Sequence, residues 1–309
     1  MRAGKSPGYW RNLVLFALCV VLLGVIAAVL WLAHWRAMAL VHPGRSRPSH
    51  TPADYGLRDW EEVGFPSADG LQLAGWFIPP DPEGDGATLI YVHGLGSNRE
   101  ELLRQAVMLW RHGYGALLLD LRGHGQSGGT GTTLGYAEVE DVRGAVAYLQ
   151  TRTEVNPDRI GVVGRSMGGA IALRATARID HIRAVVAQCA YASIEGQVRE
   201  GFRASTGLPS FPFAPLVVWF GQREVGLDLG QVRPIDDVAG IAPRAILFIH
   251  GEDDPLVDVN NSLRLYEAAR EPKELYLIPG AKHGGFLTVE GEELERRMVR
   301  FLDAHLRVD

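Results

Sequence analysis

Two serines of the 309-residue chain sit in a G-x-S-x-G pattern, and their surroundings differ. Gly164-Arg165-Ser166-Met167-Gly168 follows the apolar run Ile160–Val163 and leads into a Gly- and Ala-rich stretch with helical spacing. A serine on so sharp a strand-to-helix turn needs glycine neighbours, because a Cβ there would meet backbone, and the turn lifts its hydroxyl above the sheet. The helix N-terminus supplies backbone donors at the same point. Gly125-Gln126-Ser127-Gly128-Gly129 matches the pattern too, but it runs into Thr130-Gly131-Thr132-Thr133, a loop. Ser166 is therefore the expected nucleophile, and Ser127 is expected to serve a turn.

A serine hydroxyl needs a positioned base. Of the ten histidines, His283 lies in the loop Gly280–Phe286, just past a strand ending at Ile278 and so at the same carboxyl edge as Ser166. His305 falls on a last helix, and His250 ends a strand before an acidic cluster. His34, His42 and His50 precede the folded domain, and His112 and His181 read as surface positions. The base in turn needs a carboxylate that fixes its tautomer and stabilises the imidazolium. Glu252, Asp253 and Asp254 follow the strand Ala245–Ile249; Asp254 is the leading candidate and Asp253 the alternative. Two N–H groups must receive an oxyanion. One is expected from Met167, directly after the nucleophile. The other is expected from Leu95, in His93-Gly94-Leu95-Gly96 after the strand Ala87–His93. His93 lacks an H-E-x-x-H or comparable partner and is expected to brace that loop. Gly123, Gly125 and Gly128 spell G-x-G-x-x-G, but no helix opens within them, which argues against a dinucleotide site.

These groups must be held by elements. Short apolar runs at Ala87–His93, Ala116–Asp120, Arg159–Val163, Arg183–Gln188, Ala245–Ile249 and Lys273–Ile278 read as buried strands, and Leu71–Ile78 as an early edge strand. Between them, Asn98–His112, Ala137–Gln150, Met167–Ala177, Ser262–Ala269 and Glu292–Leu306 have helical spacing. Strands alternating with helices predict an α/β fold with a mostly parallel sheet covered on both faces. The stretch 191–240 breaks the rhythm with Phe202, Phe211, Phe213, Trp219 and Phe220. It reads as a small insertion over the carboxyl ends of the strands, where open α/β sheets bind ligands.

Over roughly residues 60–308 the chain resembles the α/β-hydrolase superfamily. The resemblance is carried by His93-Gly94-Leu95-Gly96, the run Asp120–Ser127, Gly164-Arg165-Ser166-Met167-Gly168-Gly169, the stretch His250–Asp254 and His283. The order Ser166…Asp254…His283 is that of the superfamily's nucleophile, acid and base. It looks most like single-span, membrane-anchored members akin to serine-aminopeptidase-type hydrolases and abhydrolase-domain proteins. The resemblance implies an eight-stranded sheet, a helical cap after the sixth strand, and hydrolysis of an ester, thioester or amide through an acyl-serine, with no cofactor. The aromatic insertion and the membrane address favour a small-molecule or lipid-like acyl substrate. A peptidase of the same fold and a catalytically silent membrane scaffold are the alternatives.

Ahead of this domain, Leu13–Ala33 is 21 residues without a charge, about 30 Å as a helix and so one bilayer core. Residues 1–12 form a basic tail, 13–33 a transmembrane helix, 34–58 a linker, and 59–309 the hydrolase domain with its cap at about 191–240. A signal peptide cleaved after Ala39 is the rival reading. Arg2, Lys5 and Arg11 favour a cytoplasmic N-terminus with the catalytic domain on the exterior side. Since every expected catalytic group lies beyond His93, residues 1–47 are expected to be dispensable for chemistry. Residues 1–53 carry six basic and no acidic side chains, while the whole chain has a net charge of −5. The domain is thus acidic and without a basic run, which argues against a nucleic-acid partner. Two cysteines, Cys19 and Cys189, argue against a disulfide framework or a zinc site.

Overall fold

The computed structural model describes residues 7–307, so Arg2 and Lys5 of the basic tail lie outside the described residues. Eight strands form one sheet: β1 (Glu61–Pro66), β2 (Gln72–Ile78), β3 (Thr88–Val92), β4 (Gly115–Leu119), β5 (Ile160–Arg165), β6 (Ile182–Gln188), β7 (Ala245–Gly251) and β8 (Lys273–Ile278). Their order is β1-β2-β4-β3-β5-β6-β7-β8, with β1–β2 and β2–β4 antiparallel and the remaining pairs parallel. The helices are α1 (Pro7–Val41), α2 (Leu103–Trp110), α3 (Glu138–Leu149), α4 (Met167–Arg178), α5 (Ile194–Thr206), α6 (Phe213–Val225), α7 (Pro234–Asp237), α8 (Asn260–Ala268), α9 (Phe286–Val289) and α10 (Gly291–Leu306).

The central strands are buried on both faces, which is why they read as continuous apolar runs rather than alternating ones. Successive residues still serve opposite layers. Ile90 and Val92 of β3 join the core under α3 and α4, while Leu89 and Tyr91 join the core under α2 and α10.

Leu71–Ile78 is not the edge strand that its alternation suggested. β2 is paired on both sides, and the edge belongs to β1. β1 escapes sequence reading because it is short, mostly solvent-exposed and closed by Pro66. The helix expected over Asn98–His112 starts later. Asn98 caps a 3₁₀ turn at Arg99–Leu102 by accepting the Glu100 N–H at 2.9 Å, and α2 follows.

α1 is long and apolar enough to cross a membrane. It does not end at Ala33 but continues eight residues to Val41. Ala33, Ala37 and Val41, spaced four apart, are buried in the domain core while the preceding apolar side chains stay exposed. The docked end packs against α6. Val41 O accepts the Thr132 N–H at 2.8 Å, and the Arg45 guanidinium donates to Ser127 O at 2.8 Å. His42 and His50 therefore do not stand clear of the domain. His42 reaches Thr130 O at 3.0 Å and Glu224 at 2.7 Å, and His50 reaches Glu100 at 2.6 Å. His34 meets the Phe220 ring at 5.1 Å between centroids.

Candidate active site

Ser166 sits between the end of β5 and the first turn of α4 at φ 57°, ψ −120°, a conformation L-residues rarely adopt. The turn closes only because its flanks lack side chains. A Cβ on Gly164 would meet Gly168 O at 2.1 Å, and one on Gly168 would meet Val92 O at 2.0 Å. The Ser166 N–H donates to Gln188 O at 2.8 Å, which pins the turn to β6.

Ser166 and His283 line one cavity of about 340 Å³ beneath α5 and α6, together with Leu95 and Met167. The His283 Nδ1 lies 2.7 Å from Asp254 Oδ2. With Nδ1 so committed, Nε2 is the nitrogen left for the cavity. The Asp254 side chain is completely buried, whereas Glu252 and Asp253 are exposed. The three acids are thereby separated. Asp254 Oδ1 also accepts the Leu256 and Val257 N–H groups at 2.8 and 3.0 Å, and His250 Nε2 lies 3.3 Å from Oδ2. Burial opposes the charge of Asp254, yet these hydrogen bonds from His250, His283 and Val257 hold its carboxyl far below the usual carboxylate range. His250 is a supporting residue that the sequence reading passed over. Its Nδ1 engages Ser262 Oγ at 2.6 Å and its Nε2 Val257 O at 2.9 Å.

The loop after β3 is held so that one N–H is left over. The Gly94 N–H donates to Glu101 Oε2 at 2.6 Å, and the Gly96 N–H to His124 Nε2 at 3.1 Å. Among the described residues, neither the Leu95 nor the Met167 N–H has a hydrogen-bond partner. His93 braces this loop as expected, with Nδ1 at 2.7 Å from Gly94 O and Nε2 accepting the Leu121 N–H at 3.0 Å. His124 is fully buried. Burial, with the neighbouring His93 ring adding to it, pushes its pKa down to about 4, so it is a neutral acceptor at neutral pH. Glu101 was missed by sequence reasoning. Its second oxygen pairs with the Arg165 guanidinium, so one carboxylate ties the serine turn to the Leu95 loop.

The competing motifs resolve into structure. Ser127 is buried, donates to Asp120 O at 2.6 Å and accepts the Ala74 N–H at 2.9 Å. Of the glycines at 123, 125 and 128, Gly125 closes on a carboxylate, while Gly123 packs on the Gly131 backbone and Gly128 on Leu71. A Cβ on Gly125 would sit 2.1 Å from Asp120 Oδ2, which accepts the Gln126 N–H at 2.8 Å. Cys189, His250 and Asp254 bring three donor atoms within 4.8 Å of one another. They do not suit a metal ion: both His250 nitrogens and the carboxylate are already engaged, and burial pushes the Cys189 thiol well up, away from the thiolate form.

Residues 1–47 do not all stand clear of the cavity. Arg36 and Leu40 of α1 line the same cavity as Ser166 and His283. The helix end was read as linker because docking by two small alanines and a valine, next to His34 and Arg36, leaves no clear amphipathic stripe to see.

The family model described as "Serine aminopeptidase, S33" matches residues 85–219. The protein YqkD of Bacillus subtilis is 31% identical over 241 residues, 77% of this chain and 78% of YqkD. The alpha/beta hydrolase domain-containing protein WAV2 of Arabidopsis thaliana is 28% identical over 281 residues, 86% of this chain and 85% of WAV2. An esterase of Pyrococcus furiosus superposes with a TM-score of 0.72 at 28% identity, covering 86% of this chain and 98% of the esterase.

Proposed function

The chain belongs to the α/β-hydrolase family, and from that premise we propose that it is a membrane-anchored serine hydrolase cleaving carboxylic ester or thioester bonds. The observation that carries the reading is the joint placement of Ser166 and His283 on one cavity, with His283 bonded to a buried Asp254.

In this reading Ser166 Oγ attacks the acyl carbonyl carbon and gives its proton to His283 Nε2. The carbonyl oxygen becomes an oxyanion between the Leu95 and Met167 N–H groups. Asp254 stabilises the imidazolium. His283 then returns the proton to the leaving alcohol or thiol as the bond to the acyl carbon breaks, which leaves an acyl-serine. Water attacks that ester, loses its proton to His283, and Ser166 leaves with the proton as the carboxylic acid forms. No cofactor enters these steps.

An ester or thioester is favoured over a peptide by the charges of the cavity. Its one carboxylate, Glu101, is committed to Arg165 and Gly94 N–H. No free acid is therefore left there, among the described residues, to anchor a peptide amino terminus. The apolar run of α1, and the exposed Leu208, Phe211 and Trp219 on the cap that α1 packs against, support a membrane anchor and a lipid-like acyl substrate. Arg11 and the basic residues before it support a cytoplasmic N-terminus, which puts the catalytic domain on the exterior face.

The test is active-site labelling of the full-length protein with a fluorophosphonate, followed by p-nitrophenyl esters of rising chain length. Covalent labelling at Ser166 and ester turnover are expected. Labelling elsewhere, or turnover that survives Ser166→Ala, would overturn the reading.

A further inference from the structure

The end of α1 is not only an anchor. Its Arg36 and Leu40 form part of the wall of the cavity that holds Ser166 and His283. The rest of that wall is largely apolar and includes Val198 and Phe202 of α5 and Val217 of α6 besides Leu40. Only three lining side chains can carry charge: Arg36, Glu101 and His283. Glu101 is paired with Arg165, and His283 is bonded to Asp254. Arg36 donates to Ser205 Oγ at 3.1 Å and stacks 5.9 Å from the Trp35 ring, and no carboxylate pairs with it among the described residues. It is a half-buried cation with donors to spare.

Its height along the helix adds a second argument. Arg36 follows the uncharged run by three residues, about 4–5 Å of helix rise. With the exposed part of that run in a bilayer, ending before the docked Ala33, the guanidinium lies close to the bilayer surface, beside the cavity that Ser166 lines.

We propose that Arg36 is a specificity-determining residue that binds the anionic group of an amphiphilic substrate, an acyl ester carrying a phosphate or carboxylate, whose apolar chain fills the cavity lined by Leu40, Val198, Phe202 and Val217. Arginine suits this role because its planar fork meets a phosphate or carboxylate through two parallel hydrogen bonds. The proposal rests on the serine-hydrolase reading above and adds the substrate class to it.

The experiment measures how well two soluble amphiphiles of equal chain length, decyl phosphate and decyl glucoside, slow fluorophosphonate labelling of Ser166 in the full-length protein. Both are used below their micellar concentrations, so that surface binding does not enter. Decyl phosphate is expected to protect at concentrations about tenfold lower, as a charge-assisted pair with Arg36 would give. Arg36→Gln is expected to erase that preference, and Arg36→Lys to keep part of it. Equal protection by both amphiphiles in the unmodified protein overturns the proposal, as does a preference that persists in Arg36→Gln. The first comparison stands even if a variant fails to fold. Absence of labelling at Ser166 in the unmodified protein refutes the serine-hydrolase reading instead, so the two failures are distinguishable.

Discussion

The Glu101 carboxylate accepts the Gly94 N–H at 2.6 Å and turns its other oxygen to the Arg165 guanidinium. It spans the serine turn and the loop of Leu95, which lines the cavity and is an oxyanion donor in the proposed mechanism. Glu101→Ala should let that loop shift and weaken one oxyanion donor. The expected result is a fall in kcat of about ten- to a hundredfold with little change in KM, since losing such a donor outright costs about 10²–10³. Glu101→Gln, which can still accept the Gly94 N–H, should recover part of the rate. A KM effect alone would assign Glu101 to substrate binding.

Ser166→Ala should abolish both hydrolysis and fluorophosphonate labelling. Ser127→Ala should keep the label but lower stability by about 1–3 kcal/mol, because it strands the half-buried Ala74 N–H and removes a buried bond to Asp120 O. Denaturant midpoints and label intensity on the two variants separate a nucleophile from a turn residue.

Asp254→Asn should lower kcat by about 10³–10⁴, by upsetting the tautomer of His283. Asp253→Asn should leave kcat near that of the unmodified protein, since its side chain is exposed and Asp254 alone bonds His283. Asp254 stays ionised far below neutral pH. Its own protonation should therefore leave no step in the rate profile near neutral pH. Rates of equal size in the two variants would contradict the geometry.

The buried His124 gives a pH dependence of stability. Its folded pKa of about 4 lies below the ordinary value of 6.5, so the unfolded chain binds the proton first. Stability from this site is fully present above about pH 6.5 and is lost as pH falls toward 4, by up to about 1.4 kcal/mol per pH unit. Thermal midpoints measured across that window should fall less steeply in His124→Gln than in the unmodified protein. A parallel fall would place the acid sensitivity elsewhere.

Truncation separates the two halves of α1. Removing residues 1–32 leaves Ala33, Ala37 and Val41 to cover the core and Arg36 and Leu40 to complete the cavity. It should yield a protein that no longer resists carbonate extraction but still labels at Ser166. Removing residues 1–47 also takes away the bonds from Val41 O to Thr132 N–H and from Arg45 to Ser127 O. That protein should lose solubility and most of its label. Full labelling of the longer truncation would return α1 to the status of a simple anchor.

The sequence by itself determined the architecture and the chemistry on offer. Buried parallel strands are apolar from end to end, and a nucleophile turn requires glycines at two fixed offsets, so β3 to β8 and Ser166 could be read locally. His283 followed from its loop just beyond Ile278. What local pattern could not hold were relationships that close across long stretches of chain. Glu252, Asp253 and Asp254 are chemically alike in sequence; only the burial of one beneath His250 and His283 distinguishes Asp254. Glu101 meets Arg165 across 64 residues of separation, and nothing near either announces the pairing. The exposed edge strand β1 carries no apolar run, so its existence depends on the pairing with β2. The end of α1 was the largest such decision. The apolar residues of α1 are equally fit for lipid, and only the shape of the cap and the core decided that Ala33, Ala37 and Val41 turn inward, carrying Arg36 and Leu40 to the site.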